Sequence, residues 1–132
     1  NGWEVSATKL KNEKTAIGNT EIYDLDILLQ DEIEEVLEKV KPDCIFHLVA
    51  QSSVKLSWEK PQLTADINIK GAINLLEAVR KKLPQTKVVL IGSGEEYGRI
   101  ERVPVDENTK PQPQNIYAVT KACQNMIGTL YS

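Results

Sequence analysis

Two short, nearly unbroken apolar runs set the strongest limit on what this chain can fold into. "CIFHLVA" (44–50) and "KVVLIGS" (87–93) are both of strand length. A strand that is apolar at successive positions has to be covered on both faces. Between them lies "PQLTADINIKGAINLLEAVRKK" (61–82), where Leu63, Ile67, Leu75, Leu76 and Val79 form an apolar stripe at helical spacing. Pro61 suits its first turn, and Leu83-Pro84 stops it. A buried strand, a helix and a second buried strand make a right-handed parallel crossover.

The rest of the chain extends this pattern. "WEVSAT" (3–8) alternates apolar with small or polar residues and predicts a strand; "TEIYDLD" (20–26) predicts a second. "LQDEIEEVLEKV" (29–40) places Leu29, Ile33, Val36, Leu37 and Val40 at helical spacing, with acids early and Lys39 and Lys41 late, the order that suits a helix dipole. Residues 98–114 read as a polar, Pro-containing loop, and 115–132 open another helix. The expected fold class is α/β: a partial Rossmann-like, doubly wound parallel sheet with helices on both faces, truncated at both ends. Asn1 leads almost directly into a strand and "CQNMIGTLYS" stops inside an apolar helical pattern, so an internal piece of a longer protein is expected, with apolar surface exposed on its last helix.

Composition removes several partner classes. The chain has 132 residues, about one domain, and a net charge of −3 with Lys and Arg scattered among the acids. No basic stripe is present, so neither nucleic acid nor an anionic membrane surface is an expected partner. No apolar stretch is long enough to cross a bilayer, and "NGWEVSATKL" has no apolar signal core. Cys44 and Cys123 match no metal spacing, so no metal is expected; they read as free buried thiols of a cytoplasmic protein.

Ligands of open parallel sheets bind beyond the carboxyl ends of the strands, so functional residues are expected just after positions 8, 26, 50 and 93. Thr8, Lys9 and Lys11 follow the first strand: a cation there suits a ribose 2′-phosphate, and a solvated basic loop is the equal alternative. In "DLDI", Asp26 could accept from an adenine amino group beside the Ile27 backbone, or serve as a turn or capping residue. "HLVAQSSV" (47–54) offers small residues where a flat ligand could approach, and its lone His47 reads as structural. "IGSGEEYG" (91–98) puts Ser93 between Gly92 and Gly94, with Glu95 next.

"NIYAVTK" (115–121) sets Tyr117 and Lys121 four residues apart, neighbours on one helix face. An ammonium beside a phenol favours the phenolate, which brings a tyrosine toward acid–base work. Alone the pair is an ordinary amphipathic helix surface. It follows a serine-bearing strand end in an alternating α/β chain, where the serine could bond the same substrate oxygen.

The motifs "DLDI", "HLVAQSSV", "DINIKGAINLLEAVR", "IGSGEEYG" and "YAVTK", in this order and spacing, resemble the extended short-chain dehydrogenase/reductases, the NAD-dependent epimerase/dehydratase family acting on nucleotide sugars. They cover nearly the whole chain. "VAQSSVKLSWEKPQLTADIN" and "IGSGEEYG" resemble its GDP-mannose branch of 4,6-dehydratases and 4-keto-6-deoxymannose reductases. Ser93-Gly94-Glu95 is more similar to the reductases, since the dehydratases usually show Thr-Ser-Glu or Thr-Asp-Glu there.

The resemblance implies NADP or NAD as cofactor, a nucleotide-sugar substrate and a homodimer in the full-length protein. It makes residues 1–132 the central part of an NAD(P)-binding Rossmann domain, with the first βα unit, its glycine motif and the C-terminal substrate domain absent. A piece so cut is expected to bind cofactor poorly and to be inactive. Tyr117 would be the general acid, Lys121 would bond the nicotinamide ribose, Ser93 would hold the substrate carbonyl oxygen, and Asn68 would support the proton relay around the lysine. Thr8, Lys9, Asp26, Ile27, Leu48, Val49 and Ala50 would line the cofactor. Gln51, Ser53 and Glu95 would face the substrate, Glu95 being the base if the protein is a dehydratase. One departure is Ile116, where the family carries proline. A cofactor-sensing protein without turnover is the alternative of another class, and the presence of both Tyr117 and Lys121 speaks against it.

Overall fold

The computed structural model describes residues 2–100 and 103–132. Strands β1 (Ser6–Lys9) and β2 (Glu21–Asp24) pair in parallel, with Ser6 opposite Glu21. Strands β3 (Cys44–His47) and β4 (Lys87–Leu90) pair in parallel too, with Phe46 opposite Val89 and His47 opposite Leu90. Among the described residues these are separate two-stranded sheets. All four strands are shorter than the segments predicted for them. Trp3 and Val5 fall outside β1 and are 80% and 62% exposed, because β2 begins only at Glu21, after the Gly18 turn closed by Thr20 N–H donating to Ile17 O.

Helix α1 (Gln30–Val40) forms as its periodicity dictates, burying Ile33 and Leu37, and ends at Lys41, whose left-handed φ of 48° turns its N–H back onto Leu37 O. It packs with Leu75, Ala78 and Val79 of helix α4 (Gly71–Lys82). Ile27, Ile45 and Val88 complete this core. Burying each large aliphatic side chain there stabilises the fold by about 1.5–3 kcal/mol. Strand alternation places Phe46 and Val89 on the opposite face of the β3–β4 pair, where they are exposed.

The 61–82 segment is helical throughout but not uniform. Helix α3 (Pro61–Ala65) runs into a π-helical turn (Asp66–Lys70) before α4 begins. The wider turn is where Asn68 points fully inward. At Gly71 the backbone passes so close to Ile27 that a Cβ would lie 2.8 Å from Ile27 Cγ2. Helix α2 (Val54–Glu59), a stretch to which the sequence reading gives no element, is started by Ser53, whose Oγ accepts from Leu56 N.

Candidate active site

Helix α5 (Ile116–Leu130) opens at Asn115, whose side-chain oxygen accepts from Ala118 N at 2.8 Å. That cap fixes the start of the helix immediately before Tyr117. Tyr117 and Lys121 therefore fall in its first turns, on its inner face, and both are buried. Lys121 Nζ donates to Gln124 Oε1 at 2.9 Å, and Gln124 Nε2 donates to Ile91 O at 3.3 Å, just beyond β4. Burial holds the Lys121 ammonium below the usual lysine range, and the negative charge of Glu96 opposes that shift. His47 is pushed down to about 4, by burial first and by the Lys121 charge second, and its Nε2 has no hydrogen-bond partner among the described residues.

Ser93 caps a 3₁₀ turn (Gly94–Tyr97): its Oγ accepts from Glu95 N at 3.2 Å, while Glu96 Oε1 accepts from Ser93 N at 2.6 Å. This reciprocal box fixes the serine's backbone. The turn is strapped to α5 twice, through two adjacent residues. Asn115 Nδ2 donates to Glu95 Oε2 at 2.8 Å, and Asn125 Nδ2 to Glu96 Oε2 at 2.7 Å. Along the helix these ties bracket Tyr117 and Lys121, so Ser93 is held across the same stretch of α5.

Asn68 reaches α5 from the π turn. Its Nδ2 donates to Thr120 Oγ1 at 2.9 Å and to Gln51 O at 3.1 Å, while its Oδ1 accepts from Gln51 N at 2.8 Å. Its bond thus goes to the neighbour of Lys121 and not to the ammonium. The Gln51 side chain turns inward, donating to Thr64 Oγ1 and Ser53 O and accepting from Ser53 N. Gln51 and Ser53 therefore organise the loop after β3, and their polar atoms face the chain itself.

The remaining strand-end residues divide. Asp26 Oδ1 accepts from Leu28 N, an Asx turn, so the turn role weighed from sequence is realised. The Ile27 side chain is in the core and its carbonyl accepts from Asn74 Nδ2. Lys9 is ion-paired with Asp24 on the adjacent strand, so its charge is already answered inside the sheet, and Thr8 is exposed beside it. Leu48, 72% exposed, and Val49 present apolar surface beyond the carboxyl end of β3, with Ala50 half-buried behind them. Open apolar surface at that strand end fits the rings of a dinucleotide. The concave surface lined by Lys41–Asp43 and Lys82–Thr86 lies at the opposite strand ends and contains none of these residues.

Thr120, Gln124 and Glu96 were not singled out from sequence. For Glu96 a signal existed: Ser93 and Glu96 have the S-x-x-E spacing of a capping box. Among the described residues, no group of three or more His, Cys, Asp and Glu side chains could hold a metal ion, and no helix is long and apolar enough to cross a membrane. Both cysteines are free and half-buried.

The family model described as GDP-mannose 4,6 dehydratase matches residues 3–132. The chain belongs to that family. A GDP-mannose 4,6-dehydratase of Vibrio cholerae is 37% identical to this family member over 98 residues, covering 73% of this chain and 26% of the relative. Two solved structures share its fold. The UDP-glucose 4-epimerase of Brucella ovis in complex with NAD superposes with a TM-score of 0.80 at 29% identity, covering 85% of this chain and 34% of its own. RMD from Pseudomonas aeruginosa complexed with NADPH gives 0.74 at 30% identity, covering 80% of this chain and 35% of its own. The chain thus spans about a quarter of the curated relative and about a third of each solved structure. These matches bear out both the extended short-chain dehydrogenase/reductase family and the Rossmann-like α/β class expected from the sequence.

Proposed function

We propose that the full-length protein reduces the 4-keto group of GDP-4-keto-6-deoxymannose with NADPH or NADH, through Ser93, Tyr117 and Lys121. The observation that carries this reading is the pair of buried polar side chains on one face of α5, with the Ser93 turn strapped across them. The dinucleotide, when bound, supplies the hydride to the sugar's C4. The Tyr117 hydroxyl gives its proton to the ketone oxygen, so that the C=O bond becomes C–OH and the phenol is left as phenolate. Lys121, four residues on, stabilises that phenolate and can donate to the nicotinamide ribose. Ser93 Oγ donates to the same ketone oxygen and orients it. Leu48, Val49 and Ala50, with Asp26 and Ile27, are the residues that would hold the dinucleotide.

The Ser93-Gly94-Glu95 turn favours the reductase within the family. Glu95 gives the dehydratase reading its own support. Glu96 is occupied by the capping box, whereas Glu95 is exposed and tied to Asn115, two residues before Tyr117. A carboxylate there could take the C5 proton of a 4-keto intermediate as water leaves C6. Free Cys44 and Cys123 suit a reducing, cytoplasmic compartment. Val119, Met126 and Leu130, exposed on α5, suit a homodimer through that helix.

The test incubates the full-length protein with GDP-4-keto-6-deoxymannose and NADPH, and separately with GDP-mannose and NADP. Oxidation of NADPH in the first mixture makes it the reductase. Water loss from GDP-mannose with no net change in cofactor absorbance makes it the dehydratase. Silence in both removes this choice of sugar.

A further inference from the structure

Glu96 has no part in the proton transfer described above, yet it is a carboxylate only 5% exposed beside it. Both of its oxygens are engaged by uncharged donors, the Ser93 backbone N–H and the Asn125 amide. Its own carbonyl accepts from Gln112 N at 2.9 Å, which ties the far loop to the same point. The space is built for it. A Cβ at Gly92 would come within 2.9 Å of Glu96 Oε1 and 3.0 Å of Asn125 Nδ2, so the clamp closes directly over the Gly92 backbone. Burying a carboxylate among neutral partners carries a desolvation cost that a nearby cation offsets.

That cation is Lys121: it stands four residues before Asn125, on the same side of α5, and Asn125 is the residue that binds the Glu96 carboxylate. Among the described residues it makes no ion pair, and its hydrogen bond goes to the neutral Gln124. Among the described residues, the other titratable groups on the elements around α5 include half-buried Tyr97 of the 3₁₀ turn. His47 on β3 is neutral, and Tyr117 shares its helix. Lys55 and Glu59 of α2 pair with each other at the surface. Asp66 and Lys70 of the π turn and Lys87 of β4 are exposed, and α3 carries no charge. Glu77 of α4 holds Arg80, Lys81 and the Tyr131 hydroxyl, and Glu95 is tied to Asn115.

We propose that Glu96 is a positioning residue of the active site: its carboxylate clamps the backbone of Ser93 to α5 and supplies a negative charge one helical turn from the buried Lys121. One carboxylate then sets both the place of the serine and the charge state of the lysine. The inference rests on the reading of Ser93, Tyr117 and Lys121 as the acting groups.

The experiment compares the full-length wild type with E96Q, E96L, Y117F and the double variant E96Q/N125D, in the two substrate–cofactor mixtures above and across pH. E96Q keeps an oxygen for Ser93 N–H and, with the Asn125 amide turned, a bond to α5, so it removes the charge alone. The expected result is a high-pH limb of kcat/KM displaced to lower pH in E96Q, because Lys121 loses its proton more readily. Moving a carboxylate back to position 125 should return the limb toward wild type. E96L, which also releases the serine turn, should lose roughly tenfold to a hundredfold in kcat; if it does not fold, the E96Q profile decides. A limb that superposes on wild type in E96Q while Y117F is inactive overturns the role of Glu96 alone. Wild-type activity in Y117F overturns the site reading itself, and the role of Glu96 with it.

Discussion

Asn68 Nδ2 donates to Thr120 Oγ1 at 2.9 Å, and Thr120 Oγ1 in turn donates to the carbonyl of Tyr117 at 2.7 Å. A fully buried amide on the π turn is thereby joined to the turn of α5 that carries both candidate proton-transfer residues. The same amide satisfies the backbone N–H and C=O of Gln51. Asn68 is thus the point where the loop after β3, the π turn and α5 meet.

Asn68→Ala leaves the Gln51 backbone groups and the Thr120 hydroxyl without that partner in a buried site. Each such loss costs about 1–3 kcal/mol when water cannot replace the bond. The expected outcome is a drop in unfolding free energy of at least about 3 kcal/mol, read as a lower urea midpoint with an unchanged m-value. A midpoint within error of wild type would show that water replaces all three bonds.

Tyr117→Phe removes only the hydroxyl from a ring that the helix already buries. Its backbone N–H, which donates to Ser57 Oγ at 3.3 Å, is untouched. Circular dichroism and melting should therefore match wild type, while turnover falls by roughly a hundredfold or more, the usual worth of a positioned general acid. A tenfold loss or less would mean that another group, or water, delivers the proton.

The long periodic segments were legible in the sequence because burial and periodicity agree there. The α1 stripe through Ile33 and Leu37 and the α4 stripe through Leu75, Leu76 and Val79 became the core. The π turn was not legible: "DINIK" continues a helical pattern, and only the partners of Asn68, distant in sequence, show why an extra residue fits the turn. Helix α2 has too few residues to show a stripe, and its start depends on the Ser53 cap. At the site, the spacing of Tyr117 and Lys121 could be read directly. Their burial and the Glu96–Asn125 strap could not, since both arise from contacts between segments far apart in the chain.

Gly71→Ala tests how tightly α4 lies on the loop after β2. Alanine is the better helix former by about 1 kcal/mol, and at an open site the change would stabilise. Here the new methyl would meet the Ile27 side chain inside the core, and overpacking of this kind costs about 1–3 kcal/mol. A net loss of stability is expected in thermal melts. Gly94→Ala is the control, because nothing lies within 4 Å of its Cβ position. Equal melting of the two variants would show that Ile27 moves aside freely.

His47, the chain's only histidine, makes stability fall on mild acidification. In the fold it is pushed down to about 4 by burial and by the Lys121 charge, from an unfolded value near 6.5. Between these values the unfolded chain binds a proton that the folded chain refuses. Unfolding free energy therefore rises with pH across this window, and the penalty is absent above it. From pH 7 to pH 5 the loss from this one group is about 2 kcal/mol, at 1.36 kcal/mol per pH unit of separation. Most carboxylates titrate below that interval, so the slope there belongs mainly to His47. Chemical denaturation at pH 7, 6 and 5 should show it in wild type, and His47→Gln should flatten it. An equal slope in the variant would assign the acid sensitivity to other groups and remove His47 from the account.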